Sequence, residues 1–172
     1  MQNLKDIPCL ILGIGNILWA DEGFGVRVVE AFNDKYAFTD PNNVIADGGT
    51  LGMYLYDRIC RAEKLLIFDC CDFKGKPGEL RVLRNDDVKL WTATKISPHQ
   101  TGMNDLLVAA AVRGAIPNDI AVVGFQPVLL DDYGGSLSAE AKGKVDEAVR
   151  DGYEIDGTSD FVFVPKTKWL RR

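Results

Sequence analysis

The chain has 172 residues, 47% of them hydrophobic, with a formal net charge of −5 and a pI near 4.9. That length suits one α/β domain able to bury a core without staples, and the acidic balance argues against nucleic acid or an anionic membrane surface as the main partner. No apolar run approaches the roughly 20 residues that span a bilayer, and Lys5 and Asp6 precede a short strand rather than a signal-peptide core, so a cytoplasmic protein with no membrane partner is expected.

Ile7 to Leu12 is an apolar run that ends in the turn Gly13-Ile14-Gly15. Asp21 and Glu22 follow, and a helical pattern begins with them and runs to about Lys35, its stripe formed by Val28, Val29 and Phe32. A dinucleotide fingerprint needs a third glycine where Leu18 stands, and acids at the helix start would repel a pyrophosphate. No Gly-Lys-Ser/Thr follows, so a phosphate loop is excluded too. One reading of the two acids is that Asp21 caps the helix and Glu22 offsets its dipole. The other is a carboxylate offered to a cation or to a proton transfer.

A polar loop from Thr39 to Asn43 leads to a short strand, Val44 to Ala46, and then to the turn Asp47-Gly48-Gly49-Thr50. Leu51 to Arg61 reads as a helix. Lys64 to Asp69 is a buried strand with its acid at the carboxyl end. Asp72 to Gly78 is a loop, Glu79 to Arg84 alternates as a half-exposed strand does, and Asp86 to Lys95 reads as irregular. Ser97-Pro98-His99-Gln100 carries a full helix-start signature, with an N-cap, a proline at the first position and a capping-box glutamine. The helix continues through Leu106, Leu107, Ala110 and Ala111 to Gly114. Asp119 to Phe125 is another buried strand, Asp131 to Ser136 a turn cluster, and Ser138 to Asp151 a helix that stops at Gly152. Phe161 to Val164 adds an edge strand or stays flexible.

Alternating strands and helices specify a doubly wound α/β fold. The expectation is a single three-layer α/β/α domain over residues 1–160, with a mostly parallel twisted sheet of about five strands flanked by helices and a tail over 161–172. No helix shows a second apolar face, so a monomer is expected.

The four cysteines include no CxxC pair, and Cys9 and Cys70 sit in strand patterns where a thiol packs as a small hydrophobe. His99 is the sole histidine, which excludes a His-x-x-x-His metalloprotease, and no Gly-x-Ser-x-Gly elbow exists to present a triad serine. At the second position of its helix, the dipole disfavours protonation of His99, and a neutral imidazole is the metal-binding form. Its plainer role is to pack against or cap the loop. Glu22 and His99 fall at helix starts that follow parallel strands and gather at one sheet edge, and Asp57, about two turns into its helix, has to lean into the same crevice. One imidazole with two carboxylates suits Zn, Ni, Mn or Fe.

The run Gly13-Ile14-Gly15-Asn16 with Asp21-Glu22-Gly23-x-Gly25-Val26, then Asp47-Gly48-Gly49-Thr50-x-Gly52, then Ile96-Ser97-Pro98-His99-Gln100, resembles the [NiFe] hydrogenase maturation endopeptidases. Gly124-x-Gln126-Pro127 and Asp131 to Ser138 are similar to the subgroup that serves membrane-bound uptake hydrogenases. The resemblance spans roughly Pro8 to Gly152. It implies a protease that removes a C-terminal extension from the hydrogenase large-subunit precursor after nickel insertion. The nickel is the substrate's own, and no organic cofactor is implied. Glu22 and His99 match metal-contacting positions. For the third, an ungapped count from Gly52 reaches Arg58, whose guanidinium cannot ligate a cation. Asp57, one residue earlier, takes that place in the expected set, with Asp47, Asp69 or cysteines of the substrate as alternatives. Glu22, Asp57 and His99 would dock the nickel, and either carboxylate could serve as general base. A second class of function is a non-catalytic, metal-dependent checkpoint that binds the loaded precursor. A small-molecule hydrolase or phosphorylase is a third, and the acids near Gly13 to Gly15 count against it.

Overall fold

A computed structural model of the chain describes residues 5–94, 101–156 and 163–166. Strands β1 (Ile7–Ile14), β3 (Val44–Gly49), β4 (Ala62–Cys70) and β6 (Asp119–Phe125) run parallel, and β5 (Leu80–Arg84) joins β6 antiparallel, in the order β3-β1-β4-β6-β5. The central strands are apolar runs because both of their faces are covered. Cys9 and Ile11 of β1 point into one core with Phe24, Val28, Val29 and Phe32 of α1 (Phe24–Lys35) and Ala148 and Val149 of α5 (Ala139–Asp156). Leu10 and Leu12 point into the other core with Ile59 of α2 (Tyr56–Arg61) and Leu106, Leu107 and Ala110 of α4 (Thr101–Val112). This is the expected three-layer α/β/α arrangement.

The chain leaves β1 toward β3 on one side, then returns across β1 to β4 and continues to β6 on the other. The direction of winding therefore reverses between β1 and β4. In open α/β sheets the crevice at the carboxyl ends of the strands flanking such a reversal is where ligands bind. Close approach of α1 to this point requires glycine: a Cβ on Gly25 would lie 2.1 Å from the Phe68 carbonyl oxygen, and one on Gly13 would lie 2.4 Å from Val29 Cγ1.

Three elements differ from the sequence reading. Asp86–Thr94 is a helix, α3, where an irregular segment was expected. Asn85 at φ +46 turns the chain into it and accepts the Ile120 N–H, Asp86 and Asp87 occupy its first turn, and Val88 is buried. One strongly anchored apolar position is too little for periodicity to reveal. The last helix continues past Gly152 to Asp156, because Gly152 packs on Phe68: a Cβ there would meet the ring at 2.5 Å. Tyr36–Phe38, between the expected helix end near Lys35 and the loop from Thr39, forms β2 and pairs antiparallel with β7 (Phe163–Pro165) in a separate ribbon. Phe163 is buried there against Phe32, Phe38 and Tyr153.

Candidate active site

At the carboxyl end of β1 the chain turns through Gly15 at φ +138, and a Cβ at that position would sit 1.8 Å from the Glu22 carbonyl oxygen. No other residue type allows the Ala20–Gly23 3₁₀ turn to fold back so closely. The Gly15 N–H donates to the Gly49 carbonyl, which locks the turn to the end of β3. Glu22 is half-buried in this turn, its N–H donating to the Trp19 carbonyl at 2.8 Å.

Asp21 does not cap the helix that follows it: neither the 3₁₀ turn nor α1 has a side-chain cap. It is fully buried and serves a distant segment instead. Its carboxylate accepts the backbone N–H groups of Val128 (3.0 Å), Leu129 (2.9 Å) and Ser138 (2.8 Å) and the Ser138 hydroxyl (3.0 Å). Ser138 Oγ in turn accepts the Ala141 N–H and so begins α5. The Asp21 N–H also donates to the Leu129 carbonyl. A buried carboxylate is tolerable when its oxygens are saturated by such donors. Local sequence pattern suggested a local cap because the partners lie more than 100 residues away.

Asp69 stands near the carboxyl end of β4, half-buried, and follows Phe68, the residue that faces Gly13 of β1 and meets Gly25. β4 borders the Glu22 turn at the winding reversal, with Asp69 near its carboxyl end. The Cys71 thiol donates to Asp69 Oδ2 at 3.6 Å. Asp47 sits opposite Gly13 on β3, exposed, with Oδ1 accepting the Gly49 N–H.

Asp57 is not brought to this edge. Its exposed carboxylate pairs with Arg61 Nη1 at 3.1 Å, and Arg61 in turn grips Asp6 through two bonds of 2.7 Å. Asp6 precedes β1, so the triad is drawn toward the amino edge of the sheet. Arg61 holds the Asp6 carboxyl below its ordinary range, chiefly by hydrogen bonding. Arg58 is likewise exposed. His99 and its Ser97-Pro98-Gln100 neighbours lie outside the described residues. The described part of α4 begins at Thr101, and the far end of that segment lies at the amino edge, where Lys5 Nζ donates to the Ala62 and Ala115 carbonyls.

Among the described residues no group of three or more His, Cys, Asp or Glu is placed to hold a metal. Glu22 and Asp69 supply two hard oxygen donors at the crevice. Carboxylates so placed can ligate a divalent cation or take a proton from water. Sequence reasoning carried Asp69 only as an alternative, although an acid closing a buried strand was the signal that could have favoured it. It read Asp131 to Ser136 as a turn cluster but missed that the loop from Val128 to Ser138 is anchored on Asp21. A cleft of about 180 Å³, lined by Ile17, Gly23, Arg27 and Gly134 to Leu137, lies between that loop and the Glu22 turn.

A family model for hydrogenase maturation proteases matches residues 26–154. The hydrogenase expression/formation protein HoxM of Azotobacter vinelandii is 45% identical over 147 residues, covering 85% of this chain and 70% of that protein. The hydrogenase 2 maturation protease of Escherichia coli is 39% identical over 127 residues, covering 73% of this chain and 77% of its own length. The hydrogenase maturating endopeptidase HybD from E. coli superposes with a TM-score of 0.85 at 32% identity, over 94% of this chain and 99% of that one. Sequence and fold agree, and the chain belongs to the hydrogenase maturation protease family.

Proposed function

We propose that this protease removes the C-terminal extension of a [NiFe] hydrogenase large-subunit precursor, and that it does so once nickel has been inserted. The observation that carries the reading is the position of Glu22, in the glycine-dependent turn at the carboxyl end of β1 beside the winding reversal, in a chain whose relatives are named for hydrogenase maturation. The nickel is part of the substrate. Glu22 and Asp69 dock it, with His99 as the third contact and Asp69 in the role the sequence reading gave to Asp57. Two carboxylates and one imidazole leave coordination positions open for cysteines of the precursor.

Docking at the metal sets the scissile bond against the carboxylates. One of them takes a proton from water, the hydroxide attacks the carbonyl carbon, and the proton passes to the leaving amine. The nickel polarises the carbonyl or the water. The enzyme acts as a monomer in the cytoplasm, and no described helix is long and apolar enough to cross a membrane.

Purified protein is mixed with nickel-loaded precursor and, separately, with nickel-free precursor, and the products are weighed by mass spectrometry. Cleavage of the loaded form alone supports the reading. Cleavage of both removes the role of nickel. Binding without cleavage would point to a checkpoint and remove Glu22 and Asp69 from any chemical step.

A further inference from the structure

Two loops close over the outer side of the Glu22 turn. Trp19 and Tyr133 form an isolated antiparallel bridge, their rings meet edge to face at 5.1 Å, and the Gly134 N–H donates to the Leu18 carbonyl at 2.7 Å. The lip so formed is apolar and exposed. Leu18 is 50% and Tyr133 68% exposed, and Trp19, Leu129 and Leu130 are each exposed by more than a third. An exposed apolar cluster of this size on an acidic chain marks a contact surface.

Its placement names the occupant. The Trp19 carbonyl accepts the Glu22 N–H, so the lip is continuous with a carboxylate at the crevice. Asp21 holds the other half of the lip at Val128 and Leu129, adjoining the same turn, which makes it a positioning residue for both. A protease must lay its substrate chain along the surface beside the reacting groups, and the charges here are the exposed Asp131 and Asp132 within the lip and Arg27 in the adjoining cleft, which is paired with Glu30.

We propose that this lip is a specificity subsite that grips an extended, apolar, non-acidic stretch of the polypeptide substrate beside the scissile bond. The proposal rests on the processing function above, and it adds a recognition element independent of the metal. Burial of an aromatic anchor on one partner is the kind of contact whose truncation weakens binding strongly.

The test is steady-state cleavage of nickel-loaded precursor by the full chain and by Trp19→Ala, Tyr133→Ala and Leu130→Asp. All three side chains are partly exposed, so each variant is first checked for an unchanged thermal midpoint. Val112→Ser, exposed on α4, is the control. The expected result is a rise in KM of about tenfold or more for each lip variant with kcat within about twofold, and no change for the control. As a readout that does not depend on turnover, precursor affinity measured by calorimetry with Glu22→Gln falls by a similar factor when Tyr133→Ala is added. Parental KM and affinity in the lip variants, with the parent active, would overturn the subsite and leave the processing function standing. A parent that cleaves no precursor but still loses affinity on Tyr133→Ala would overturn the processing function and keep the contact.

Discussion

The two edges of the central sheet are built from the same strands and finished in opposite ways. At the amino edge, cations hold acids and backbone carbonyls: Arg61 bridges Asp6 and Asp57, and Lys5 Nζ donates to the carbonyls of Ala62 and Ala115. At the carboxyl edge, charge is held by backbone. Asp21 is buried on the N–H groups of Val128, Leu129 and Ser138, Glu22 and Asp69 border the crevice, and the surrounding surface is apolar, with Tyr54 87% and Tyr133 68% exposed. An edge that pairs its own ions has little left to offer a ligand. An edge whose fixed dipoles hold one acid in place keeps neighbouring carboxylates available. The difference separates stability from function within one sheet.

The largest break in that comparison should come from the crevice. Glu22→Gln and Asp69→Asn are each expected to lower the rate of precursor cleavage by about 10² to 10⁴-fold with little change in folding, read by single-turnover assays beside thermal melts. Parental rates in either would remove that residue from the site. Next comes Asp21→Ala, which takes the carboxylate from three part-buried N–H donors and should cost roughly 2–3 kcal/mol in urea unfolding. A loss under 1 kcal/mol would mean that the loop holds its shape without the carboxylate. At the amino edge Lys5→Met should cost about 1–2 kcal/mol for the hydrogen bonds lost while the purified, folded protein cleaves at the parental rate.

Smaller still is Asp57→Ala. It breaks an exposed ion pair and should change stability by about 0.5 kcal/mol or less, with cleavage unchanged. Abolished cleavage would restore Asp57 to the site and erase the contrast between the edges. The smallest effect concerns pH. The Lys74 side chain, then the Lys74 N–H and Gln126, hold the Asp72 carboxyl down at about 2. A lowered pKa adds stability above the unfolded value and loses it as pH falls through the folded one. The contribution of Asp72 should therefore fade between about pH 4 and pH 2, by a few tenths of a kcal/mol at most, because its side chain is 40% exposed and screened. Comparing acid unfolding of Asp72→Asn with the parent checks it.

Much of this was legible in the chain. β1, β4 and β6 announce themselves because strands covered on both faces must be apolar throughout, and α1 shows its stripe because one face meets the sheet. The Gly13-Ile14-Gly15 turn was legible too, since the local backbone demands glycine there. His99, singled out from the sequence, lies outside the described residues.

Side-chain destinations were not legible. Asp57 and Asp69 are both acids near element ends, and pattern favoured Asp57. Arg61 and Asp6, separated by 55 residues, take Asp57 away, while Asp69 stands near the carboxyl end of β4, the strand beside β1. Asp21 looks like a local cap and binds partners 107 to 117 residues downstream. By itself, then, the sequence determined the α/β class, the central strands and the end of the sheet that carries acids, because these follow from short-range periodicity and backbone sterics. Which acid faces the crevice, which anchors a loop and which closes an ion pair was decided by the tertiary structure alone, because hydrogen bonds between distant segments form only when the sheet order brings those segments together.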